Sequence, residues 1–184
     1  MHCPVARARQ INRISAWLLL GLSIAWLLWS VLQLGGVFWL DRLDTPAWLA
    51  EMASRGLLGW LVEHALALST LQLLACLPCV LVGLGMLRLH DAARSGFIVL
   101  LLLTAALNLA SLPLLDRLLI DLVHGMARVE DSMDAADAMR ELAPVRAQLW
   151  VGTGVPVLAL VAAHGWLAWR YAQADMRALY RGRG

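Results

Sequence analysis

Cys76 and Cys79 form a C-x-x-C pair around Pro78 in the apolar run LSTLQLLACLPCVLVGLGML. Three chemistries are open to two thiols at that spacing. They can cycle between dithiol and disulfide, supply soft ligands to zinc or copper(I), or serve as small side chains on a packing face. Redox use needs a cationic or polar setting that stabilises the thiolate, and no arginine lies within a turn of either sulfur. A metal shell needs more ligands: His164 is the one imidazole in an apolar run, and two sulfurs with one nitrogen leave a tetrahedral site incomplete. Packing fits best. Ser69, Gln72, Cys76, Cys79 and Gly83 recur at intervals of three and four, which places them on one helix face.

The other polar residues in apolar runs read the same way. Asn108 is expected to be interhelical glue, with Gln72 as its partner and Ser111 one turn further on. His164 is expected near the inner surface, bonded to a carbonyl freed by a proline. None of the thirteen Asp and Glu residues falls inside an apolar block, which argues against proton-coupled transport. There is no nucleotide-binding glycine loop, no H-E-x-x-H zinc signature and no nucleophile with a nearby base. No cofactor and no bound metal are expected.

The elements that carry these residues follow from composition. The chain has 184 residues, is 61% hydrophobic and has a mean hydropathy of +0.70, too apolar for a water-soluble domain. A net charge of +2 gives no footprint for nucleic acid. Four blocks are long enough to cross a bilayer core of about 30 Å, at 14–34, 65–87, 96–115 and 149–169. The first is too long for a signal-peptide core and no A-x-A site follows it, so it stays as an anchor. Every basic side chain among Lys and Arg is arginine, a bias that reads as a GC-rich bacterial genome.

Arginine placement sets the expected orientation, because retained basic segments mark the cytoplasm. Arg7, Arg9 and Arg13 precede the first block, Arg88 and Arg94 flank the tight RLHDAAR connection, and Arg170, Arg177, Arg181 and Arg183 follow the last. The connections at 35–64 and 116–148 are acidic. Both termini are therefore expected inside and the acidic connections outside. Thr45 and Pro46 open an expected surface helix with Trp48, Leu49 and Met52 on one side, and Gly56 stops or kinks it. In the second connection Val129, Met133, Ala136 and Met139 form a stripe, with Gly125 dividing the helix and Pro144 closing it.

Each span carries a small or polar stripe: Ser23, Ser30 and Gln33; Ser69 to Gly83; Thr104, Asn108 and Ser111; Gly152, Pro156, Ala159 and Ala163. Lipid gives helices no hydrophobic reason to associate, so close approach and interhelical hydrogen bonds must supply it. The expectation is an all-α, four-helix membrane bundle, a single domain over 1–184, with short amphipathic helices on the outer face. Two resemblances accompany it. The CLPC tetrad in a four-span chain of this size resembles the disulfide-generating quinone reductases of bacteria, which implies ubiquinone or menaquinone, a periplasmic thiol partner and two cysteine pairs. Here Cys79 stands nine residues, about 14 Å, from Arg88 at the expected inner boundary, and 116–148, where the second pair belongs, has no cysteine. GMLRLHDAARSGFIVLL resembles the inner hairpin of small, uncharacterised four-span bacterial inner-membrane proteins. The expected function is that of an inner-membrane interaction or accessory subunit, without catalysis of its own, whose partners are the bilayer and another membrane protein or itself. A thiol/quinone redox protein using Cys76 and Cys79 is the alternative, and a small-solute channel or transporter the third.

Overall fold

The computed structural model describes residues 4–40, 56–129 and 135–181. Among them the chain is helical throughout: α1 (Pro4–Leu40), α2 (Gly56–Glu63), α3 (Ala65–Leu87), α4 (Asp91–Val129), α5 (Ala135–Tyr171) and α6 (Ala174–Arg181). Four of these are long and apolar enough to cross a membrane, over Ala6–Trp39, Ala65–Leu87, Asp91–Asp121 and Ala143–Tyr171. Their surfaces agree with that role. Leu22, Leu32 and Leu81 each leave 69% of their surface uncovered, an arrangement suited to acyl chains and not to water. The chain is a multi-pass membrane protein.

The second span has the bounds its sequence predicts, while the other three helices overrun theirs. α1 has 37 residues, about 55 Å, and α4 has 39. Gly125 does not divide α4 and Pro144 does not close α5; both lie within continuous helix. A glycine weakens a helix by roughly 1 kcal/mol without removing a backbone bond, and one proline removes one bond that a long helix can forgo by bending. The lengthening also brings Asp91, Asp116 and Asp121 into the third apolar helix, near its ends. The expected surface helix at Thr45–Met52 and the stripe through Met133 lie outside the described residues.

The chain divides into two compact units, Met1–Leu32 with Thr70–Ala106 and Leu160–Gly184, and Gln33–Ser69 with Leu107–Ala159. In the first unit α3 approaches two neighbours through its GLG segment. A Cβ on Gly83 would stand 2.8 Å from Leu20 Cγ of α1, and one on Gly85 would stand 2.6 Å from Ala93 Cβ of α4. Neither position has room for a side chain. The α3–α4 turn closes with Leu89 in the left-handed region at φ 60°, while His90 N–H donates to Gly85 O at 3.0 Å and Leu89 N–H to Met86 O at 3.1 Å. This is the Schellman pattern with leucine in the usual glycine place, at a conformational cost of roughly 1 kcal/mol. Leu89 packs against the apolar cluster of this unit.

That cluster joins Ala8 and Ala16 of α1, Met86, Ala93 and Phe97, and Ala168 and Tyr171 of α5 to Met176, Leu179 and Tyr180 of α6. α6 is strongly amphipathic and buries those last three residues. Its docking fixes the rotation of α5. With Ala168 and Tyr171 buried, the inward face runs back through His164, Val161 and Val157, each half-buried. The expected stripe of Gly152, Pro156, Ala159 and Ala163 is rotated outward and exposed. Thr104 on α4 is exposed too, and the buried face there is Phe97, Leu101 and Ala105.

Candidate functional site

The α1–α3 seam carries the cysteines. In the first unit Ser30 donates to Trp26 O at 2.8 Å and accepts from Gln72 Nε2 at 3.1 Å. The expected partner of Gln72 was Asn108; the structure gives it Ser30, because the α1 and α3 stripes face each other. Cys76 follows one turn on, buried, its thiol donating to the Gln72 carbonyl at 3.3 Å. Cys79 is half-buried, and its thiol bonds Ala75 O at 3.5 Å. Both sulfurs are free thiols turned back on their own helix. In the second unit Ser69 is buried and Gln33 Nε2 reaches its hydroxyl at 3.4 Å.

His164 is half-buried, and its Nδ1 bonds Leu160 O at 2.6 Å. That carbonyl is not one freed by a proline. Pro156 frees the carbonyl of Gly152, four residues before it, so the imidazole supplements an intact helical turn. Ser111 likewise donates to its own helix, at Asn108 O, 2.7 Å away. The Asn108 carboxamide, half-buried, makes no side-chain hydrogen bond to a described residue.

Two polar constellations escaped the sequence reading. In the first unit Asn12, 3% exposed, donates from Nδ2 to Met86 O at 3.1 Å, and its Oδ1 accepts from Tyr171 at 3.4 Å and from Tyr180. These are the only two tyrosines in the chain. Arg94 adds a tie by donating to Tyr171 O at 3.2 Å and to Asp91 at 2.8 Å, a cation at the exposed carbonyls of a helix end. Arg170 grips Asp175 with two bonds of 2.7 and 2.5 Å. The Arg170 guanidinium holds the Asp175 carboxyl below its ordinary range, and burial raises the Tyr180 phenol above its own. The sequence signal was present in the tail, where Met176, Leu179 and Tyr180 recur at three and four opposite Arg177 and Arg181.

In the second unit Arg146 donates to both oxygens of Asp116, at 2.8 and 2.7 Å, and Trp150 Nε1 reaches Asp116 Oδ1 at 3.3 Å. Asp121 accepts from Leu57 N–H at 2.6 Å, placing a carboxylate at the start of α2. Its oxygens occupy the space of a Cβ on Gly56, whose φ is 75°. Gly56 therefore begins a helix. Among the described residues no three His, Cys, Asp or Glu side chains converge as a metal site would need. No protein-family model matches this chain, and neither the curated proteins nor the solved structures give a match.

Proposed function

We propose that the protein is an interaction or accessory subunit of a bacterial inner membrane, with both termini in the cytoplasm. The observation that supports it most is the contrast in burial. All the buried apolar side chains belong to the first unit, while Ser69 is the buried side chain of the second among residues whose burial is described. The described residues of the second unit thus leave apolar surface for another transmembrane helix. Six chemistry-bearing side chains among the described residues are engaged within the fold: Cys76, Cys79 and His164 on their own helices, Asp116 on Arg146, Asp121 on α2, Asp175 on Arg170. The pairing of Asn12 with Tyr180 supports a common side for α6 and the start of α1, and the arginines in both segments favour the cytoplasm for that side.

Affinity capture from native membranes solubilised in mild detergent tests the reading. A partner membrane protein should co-purify in fixed ratio. Recovery of the chain alone would remove the accessory role. Reporter fusions after Arg94 and Gly184 should read cytoplasmic, and those near Ser54 and Asp134 periplasmic; one reversal would overturn the orientation. A Cys76–Cys79 disulfide in acid-trapped protein would favour the redox alternative.

A further inference from the structure

The Asn108 carboxamide is a half-buried amide of a spanning helix to which no described residue gives a side-chain hydrogen bond. It lies eight residues, about 12 Å, before Asp116 on α4, and Leu107, Leu109 and Leu114 around it are exposed. An amide without a partner in hydrocarbon is costly, and an acyl chain offers neither donor nor acceptor. We propose that Asn108 pairs with its counterpart in a second copy of this chain, making the face of Asn108, Ser111 and Leu115 a two-fold dimer seam.

Three observations carry the choice of occupant. A carboxamide holds a donor and an acceptor, so it is complementary to itself. Two copies inserted in one orientation and related by an axis along the membrane normal present Asn108 at the same depth, and each Nδ2 can donate to the other Oδ1. The residues at 108, 111 and 115 are spaced three and four apart, the repeat of a helix–helix seam, where a single asparagine sets register and oligomer state. The second unit, to which all three belong, has the uncovered surface such a seam requires. The proposal rests on the membrane-spanning character alone and holds whether or not another protein is captured.

The test uses the full-length protein in phosphatidylcholine–phosphatidylglycerol vesicles, with energy transfer between donor- and acceptor-labelled copies followed as lipid dilutes the protein. The native chain should self-associate. Asn108→Leu should weaken association about tenfold, as the loss of two intramembrane hydrogen bonds implies, and Asn108→Gln should keep most of it. In a background of Cys3→Ser, Cys76→Ala and Cys79→Ala, oxidation should cross-link copies carrying Leu115→Cys. Copies carrying Ala110→Cys, on the far side of α4, should stay unlinked. A native chain that is monomeric at every density overturns the proposal, as does equal cross-linking at both positions. So does an Asn108→Leu variant that associates normally, or one whose main defect is a lowered melting temperature, which would assign the amide to a contact within the chain. Dimerisation without a captured partner would remove the accessory role and leave this seam standing.

Discussion

The two units of this protein are held by different means. The first closes on an apolar cluster in which α1, α3, α4, α5 and the tail helix α6 all take part, with Asn12 and two tyrosines at its centre. The second is tied at discrete polar points, Arg146 to Asp116, Leu57 to Asp121, Gln33 to Ser69, and buries no apolar side chain among its residues whose burial is described. Hydrogen-bonded points fix where helices meet without filling the space between them. A unit built that way can accept a further helix with little rearrangement, whereas the first would have to be unpacked. Under the proposed function, stability belongs to one set of residues and recognition to the other.

Substitutions should separate the two. The largest effect belongs to Gly83→Leu, because Leu20 already occupies the space. Overpacking there should cost about 3 kcal/mol, read as a lower unfolding midpoint in mild detergent. Gly152→Leu, where nothing stands within 4 Å, should cost under about 0.5 kcal/mol. Equal losses at the two glycines would break the comparison.

Next comes the asparagine hub. Asn12→Leu removes the acceptor of two tyrosine hydroxyls and the donor to Met86 O, and should cost about 2 kcal/mol. Its particular signature is release of α6, seen as faster tryptic cleavage at Arg177 and Arg181. Tyr180→Phe should give about half that loss. In the second unit, Asp116→Asn should cost less than either, since the pair with Arg146 is partly solvated. Self-association of that variant should follow the native chain.

The smallest effect is a pH dependence of tail docking. Asp175 has its pKa depressed on folding by Arg170, so its contribution is complete above the ordinary carboxylate range and is lost as pH falls through the folded value. Tyr180 has its pKa raised by burial, so its contribution is complete below the ordinary phenol range and is lost as pH rises beyond it. A fluorophore at Ala178→Cys should report undocking at both extremes, and Asp175→Asn should flatten the acid limb alone.

The sequence by itself determined what is local to a helix. It determined four apolar spans, the bounds of Ala65–Leu87, and a shared face for Ser69, Gln72, Cys76, Cys79 and Gly83, because helical period and apolar length need no knowledge of neighbours. Only the tertiary structure decided how α5 is rotated, that Gln72 meets Ser30 in place of Asn108, and that Asn12 joins both tyrosines. In a soluble helix the apolar stripe announces which face turns inward; in lipid the outward face is apolar too, so a stripe of small residues and a stripe of valines compete on nearly equal terms. The choice on α5 was made by the tail. Once Met176, Leu179 and Tyr180 dock, Tyr171 must point at Asn12, and every residue before it on the helix turns accordingly.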